Sequence, residues 1–229
     1  MSVQCSETNN GMLSDEHKSR IVAATVTVET ADRENGRGFL VAGGYLLTAA
    51  HCVDFDLEGG LALGDYHLQF VETVSGKRFR VSPVMIDPVS DLAVLGFPDD
   101  QEFGKDCQEF QEFIDNTSPI DIEFQNPLTD DKLSIFTHFN TWIHGKAWMS
   151  DVISDPLSVF VQMAEPVIGG TSGSAVLNQS GKAVAVVSVF SYPEDDSPGG
   201  SDGPQPLIHR RLVKFLYDSI YSSQFSREC

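Results

Sequence analysis

The chain has 229 residues, 41% of them hydrophobic, and a formal net charge of −18. That length and apolar content allow a full core and exclude a disordered chain. No apolar run approaches the roughly 20 residues that span a bilayer, and the acidic balance disfavours nucleic-acid binding, which needs basic surface.

Residues 1–20 are polar and without periodicity, so they are expected to form a tail. The first ten have neither a basic n-region nor an apolar h-region, so no signal peptide, no membrane association and a cytoplasmic location are expected. Residues 21–28, Ile-Val-Ala-Ala-Thr-Val-Thr-Val, are rich in β-branched side chains and read as a strand. Residues 38–41 and 45–49 read as a hairpin around Gly43 and Gly44. Residues 66–73 and 78–86 are two further strands joined by a turn at Ser75 and Gly76, and 91–97 closes the first group. Short strands separated by turn residues predict an antiparallel barrel.

From Asp99 to Asp131 there are eleven acidic residues and one basic one, Lys105. This segment reads as a solvated acidic connector, with a docking surface for a basic partner as the alternative. A second strand series follows at 133–138, 140–149, 159–163, 174–177 and 182–190. Residues 192–206 hold Pro, Gly and Asp and read as a loop. In 207–221, Leu207, Leu212, Leu216 and Ile220 fall near helical spacing, which predicts a C-terminal helix.

Three short segments carry chemistry. Thr-Ala-Ala-His-Cys occupies 48–52, Asp-Leu-Ala-Val-Leu occupies 91–95, and Gly-Gly-Thr-Ser-Gly-Ser-Ala occupies 169–175. A serine hydroxyl needs a base to take its proton as it attacks. Histidine suits that task because its ordinary pKa lies near 6.5, and a carboxylate fixes the histidine's tautomer. His51, Asp91 and Ser172 supply one candidate for each role. The glycines at 169, 170 and 173 let the backbone turn tightly, and the amides of Gly170 and Ser172 can face a developing oxyanion. Singly, each residue has an ordinary reading: a structural histidine, a turn aspartate, a Gly/Ser loop. Together, their order His, Asp, Ser is that of chymotrypsin-like peptidases rather than of subtilisin or α/β-hydrolases. The remaining histidines show no metal-ligand spacing, and neither a phosphate-binding loop nor a dinucleotide fingerprint is present, so no metal or cofactor is expected.

With Gly-Phe-Leu-Val-Ala-Gly-Gly-Tyr-Leu-Leu leading into the His51 block, these segments resemble the signature blocks of trypsin-like (chymotrypsin-fold) serine peptidases. The resemblance covers about residues 21–222 and is closer to bacterial and HtrA-type peptidases than to digestive ones; no PDZ domain is evident. It implies an all-β fold of two antiparallel six-stranded β-barrels with the cleft between them. The first barrel would span about 21–98, the connector 99–131 and the second barrel 132–205, followed by the helix at 207–221. His51 and Asp91 would come from the first barrel and Ser172 from the second.

Departures from the family pattern bear on mechanism. Digestive members place an aspartate just before the serine, where it pairs with a freed N-terminus; this chain has Thr171. Arg20-Ile21-Val22 is therefore read as a strand start and not a processing site. Secreted relatives tie the cysteine after the histidine to one on the preceding strand. That strand has none here, so Cys52 is expected to be a free buried thiol, in keeping with a reducing compartment. The resemblance puts Glu165, Pro166, Ser188, Val189 and Phe190 around the substrate pocket. Pro166 stands about where a basic preference requires an acid, and Glu165, one position away, keeps that preference open. Phe190 either narrows the pocket or faces the core. The expected function is a serine endopeptidase acting on proteins or peptides and controlled by a regulatory protein partner or by loop ordering. The alternative is a silent peptide-binding module of the same fold.

Overall fold

The computed structural model describes residues 13–29, 35–53, 57–58, 61–62, 68–88, 90–148, 159–188 and 205–207. Helix α1, Asp15–Ala24, comes first. Ser14 caps it by accepting a hydrogen bond from the His17 amide, and Asp15 and Glu16 lie in its first turn, where the helix dipole favours acids. The strand expected from Ile21 therefore begins only at Thr25, and the expected tail contributes most of a helix. Ile21 and Ala24 are buried against the first barrel.

That barrel is closed. Its strands are β1 (Thr25–Glu29), β2 (Asn35–Val41), β3 (Tyr45–Thr48), β6 (Gln69–Thr73), β7 (Arg78–Asp87) and β8 (Leu92–Gly96), paired in the order β1-β2-β3-β8-β7-β6 with β6 returning to β1. The small hairpin of β4 (Leu57–Glu58) and β5 (Leu61–Ala62) pairs only with itself. Val26, Leu40, Leu46, Val71, Phe79 and Leu95 share one face of the strands and fill the interior. Each such side chain taken fully from water contributes about 1.5–3 kcal/mol.

The acidic stretch is ordered in a way its composition did not predict. Helix α2, Asp100–Asn116, is capped by Asp99, which accepts from the Gln101 amide at 2.9 Å. Asp100, Glu102, Glu112 and Asp115 face outward, Asp106 accepts from the Arg80 amide of β7 at 2.8 Å, and Phe110 and Phe113 are buried, with ring centroids 5.3 and 5.9 Å from Phe79 on β7. Beyond α2, the chain ties the two halves together. The Ile120 amide donates to Leu40 of β2, and Asp121 and Glu123 exchange main-chain bonds with Ala183.

The second half is a six-stranded antiparallel sheet. Its strands are β9 (Lys132–Phe136), β10 (Trp142–Trp148), β11 (Val159–Met163), β12 (Ala175–Leu177), β13 (Ala183–Val186) and β14 (Gln205–Leu207), in the order β13-β12-β9-β10-β11-β14. The second barrel was expected to be closed, but among the described residues β13 and β14 are the sheet's edges and do not pair. The expected C-terminal helix lies outside the described residues except for Leu207, which ends a strand. Ala175, Leu177, Ala183 and Val186 join one apolar cluster with side chains of the first barrel, whereas Leu133, Ile135, Val161 and Val176 form a second core. The two halves thus share an apolar seam. No helix among the described residues is long and apolar enough to cross a membrane.

Candidate active site

His51 lies in a single 3-10 turn, Ala50–Cys52, after β3. Asp91 precedes β8, whose Leu46↔Leu95 and Thr48↔Ala93 pairing with β3 brings the ends of the two strands together. Asp91 then holds that turn with both its main chain and its side chain. Its carbonyl accepts from the Ala50 amide at 3.0 Å, one carboxylate oxygen accepts from the His51 amide at 2.8 Å, and the other lies 2.7 Å from His51 Nδ1. Asp91 has φ 49°, an uncommon conformation for a non-glycine residue that local side-chain bonding makes tolerable.

Ser188 completes the surroundings of the carboxylate. It lies just beyond β13 and its hydroxyl donates to Asp91 Oδ2. The family resemblance implies a place for this residue at the substrate pocket; its side chain sits on the aspartate. Burial alone would raise the Asp91 pKa, but hydrogen bonds from the His51 ring, the Ser188 hydroxyl and the His51 amide hold it below its ordinary value. The Asp91 bond, followed by contact with the Cys52 thiol, pushes the His51 pKa up to about 10 against the desolvation that would lower it. With Nδ1 engaged by Asp91 and the side chain 43% exposed, Nε2 is the nitrogen available to a substrate.

Ser172 is brought in from the other half by loop docking. Its side chain comes from the loop before β12, and the residue is only 7% exposed. The Arg37 amide of β2 donates to the Ser172 carbonyl at 2.6 Å, and the Gly173 amide donates to Val187 at 2.7 Å. A Cβ added at Gly36 would stand 2.8 Å from Cys52 Cβ and 3.4 Å from the Ser172 carbonyl oxygen, so the loop lies next to the residue that follows His51. Gly170 and Gly173 both have φ of 83°, which fits the glycine-rich spelling of this loop. Thr171 is fully buried with no hydrogen-bond partner for its hydroxyl among the described residues.

Glu165 and Pro166 lie in an exposed segment following β11. Val189 and Phe190 lie outside the described residues. Cys52 and Cys107 are free thiols. Among the described residues, no three metal-ligating side chains cluster. Sequence reasoning missed the contact of Cys52 with His51 and the part played by Arg37; only the adjacency of Cys52 to His51 was a signal for the first.

A family model described as a trypsin-like peptidase domain matches residues 36–186. Among solved structures, the chain is similar to a serine endoprotease from Yersinia pestis, with 22% identity and a TM-score of 0.59 over 90% of this chain and 66% of that one. It is also similar to the HtrA-type protease AlgW with tripeptide, with 21% identity and a TM-score of 0.59 over 90% of this chain and 63% of that one. The chain thus spans less than two thirds of the length of these proteases, and at such identities the likeness establishes the fold alone. No curated protein matches the chain.

Proposed function

The chain belongs to the trypsin-like peptidase domain family, and on that premise we propose that it is a serine endopeptidase with His51, Asp91 and Ser172 as its catalytic residues. The observation that carries this reading is the 2.7 Å contact of His51 Nδ1 with Asp91, made at the point of the first barrel where the Ser172 loop docks. Ser172 Oγ attacks the scissile carbonyl carbon while His51 Nε2 takes its proton. The amides of Gly170 and Ser172 receive the charge that develops on the carbonyl oxygen. The C–N bond then breaks, the amine leaves with the proton from His51, and an acyl-enzyme remains. Water, deprotonated by His51, hydrolyses that ester and restores the serine. Asp91 stays ionised and orients the ring throughout.

Substrates in this reading are proteins or peptides, with Glu165 and Pro166 beside the pocket and Ser188 contributing its main chain there. The free Cys52 and Cys107 support a cytoplasmic setting. Control by a protein partner or by loop ordering is part of the proposal; full-rate degradation of an unstructured protein by the isolated chain would overturn it.

The test is intact-mass analysis after reaction with a fluorophosphonate probe. One adduct on the wild type and none on Ser172→Ala is expected. No adduct on either protein means a latent or a non-catalytic cleft, and labelling that stays absent when a regulatory partner is supplied would sink the enzymatic reading and favour a peptide-binding module.

A further inference from the structure

Arg37 is 3% exposed, and neither a closed barrel nor the triad chemistry calls for a buried cation at that point of β2. Its acceptors are hydroxyl and carbonyl oxygens. Nη1 donates to Thr27 of β1 at 3.2 Å. Nη2 donates to the main-chain oxygens of Thr137 and His138 at 3.0 and 3.1 Å and to Asn140 Oδ1 at 2.8 Å, all in the turn between β9 and β10. The guanidinium also lies over the Phe136 ring, 5.5 Å from its centroid. Burial holds its pKa below the ordinary arginine value, the sign of a desolvation cost that these bonds must offset.

The main chain of the same residue points the other way. Its amide donates to the Ser172 carbonyl at 2.6 Å, and its own carbonyl accepts from Thr48 Oγ1 at 2.6 Å while Gly173 packs against it. One residue of the first barrel therefore grips the second half at two places, a turn through its side chain and the nucleophile loop through its backbone. Lysine cannot reproduce this, because only a planar fork reaches Thr27 and the turn oxygens together.

We propose that Arg37 is a positioning residue that sets the second half against the first barrel, and so sets Ser172 relative to His51. His51 rides on the first barrel and Ser172 on the second half, so slippage between them acts directly on the distance that proton transfer must cross. A misplacement of about 1 Å can cost about 100-fold in rate.

The rate arm of the test rests on the peptidase reading; the exchange arm does not. Wild type, Arg37→Lys, Arg37→Met and Asn140→Gly are compared for fluorophosphonate labelling rate, kcat and KM on a peptide, pH profile, and hydrogen exchange of peptides covering 137–141 and 169–175. For both Arg37 variants, labelling and kcat fall about 100-fold. KM and the pH limb stay in place because Arg37 does not touch His51 or Asp91, and exchange rises in the two segments but not in β6–β8. Millimolar guanidinium, far below denaturing levels, restores part of the Arg37→Met rate. Asn140→Gly, which removes one acceptor at a left-handed position glycine tolerates, gives a smaller fall and faster exchange at 137–141. Wild-type rates and exchange in the variants would overturn the proposal, as would a uniform rise in exchange without rescue. If the Arg37 variants do not fold, an unchanged Asn140→Gly overturns it alone. If the wild type is never labelled, the peptidase reading falls while exchange still decides the role of Arg37.

Discussion

Gly173 packs so closely on Arg37 that a Cβ there would overlap the Arg37 carbonyl oxygen and lie 2.5 Å from Thr48 Oγ1. Its φ of 83° adds a second, independent demand for glycine. Close approach and left-handed backbone together fix how the Ser172 loop meets β2.

Gly173→Ala is therefore expected to move the loop rather than unfold the barrel. Labelling of Ser172 by a fluorophosphonate should fall about 100-fold, with a stability loss of about 1–3 kcal/mol from backbone strain. Labelling kinetics beside urea denaturation separate the two effects. A labelling rate equal to wild type would mean the loop does not need this docking.

The raised His51 pKa predicts an enzyme whose kcat/KM climbs with pH well above neutrality, because only neutral imidazole can accept the Ser172 proton. The acid limb should run from the ordinary 6.5 toward about 10. Asp91→Asn removes the main cause of the rise. The limb should then move to lower pH while the rate drops by about 10⁴-fold, as expected when the ring loses its tautomer control. Stability follows the opposite course. A group whose folded pKa is raised stabilises fully below its unfolded pKa of 6.5 and loses that contribution as pH rises toward about 10. Asp91, held below 3.8, stabilises above its unfolded value and loses that contribution as pH falls. Thermal midpoints should therefore be highest between those limits, and a flat profile for wild type and Asp91→Asn alike would refute the coupling.

Ser188→Ala tests whether this side chain serves the aspartate or the pocket. A hydrogen bond to a charged group is worth about 1.5–3 kcal/mol, and its loss lets the Asp91 pKa rise. The expected result is a fall of about 10-fold in kcat with KM nearly unchanged. A change confined to KM would return Ser188 to substrate binding.

The role of α2 can be read from stability alone. Phe110→Ala should cost about 3–5 kcal/mol, since its ring is fully buried, stacked on Phe79 and tilted against Phe97, whose centroids lie 5.3 and 4.7 Å away. Asp99→Ala should cost about 1 kcal/mol through its lost cap. Denaturant midpoints check both, and a silent Phe110→Ala would mean α2 is an appendage. This helix also marks where the sequence was hard to read. Phe103, Cys107, Phe110 and Ile114 repeat at helical spacing, but the density of acids between them made the segment look like a solvated connector. The triad candidates were legible because each stands in its own short motif and their order is informative. Arg37 was not, since nothing local to Gly36-Arg37-Gly38 indicates that a turn 100 residues away will bury its charge. The closing of the first barrel followed from its strand pattern, whereas no closing pair of the second sheet stands among the described residues.

Arg20-Ile21-Val22 has the spelling of an activation site, and the structure gives a physical reason to expect that no activating cut occurs there. The Arg20–Ile21 bond lies within α1, and Ile21 is 1% exposed in the core of the first barrel. Freeing an amine at Ile21 would unravel the helix and pull a core side chain out, and the position before Ser172 offers Thr171 rather than a carboxylate to receive it. Arg20 has another task. Its Nη2 donates to the Gly181 carbonyl at 3.2 Å and its Nη1 stands 4.0 Å from Asp121, which pins α1 to the second half. Arg20→Gln should therefore keep wild-type labelling of Ser172 and wild-type kcat. Its stability should fall by about 0.5–1.5 kcal/mol, the value of one ordinary hydrogen bond, because the exposed ion pair adds little. Loss of labelling in this variant, with the N-terminal segment intact by mass and restored activity on supplying a chain that begins at Ile21, would show that cleavage activates the enzyme after all.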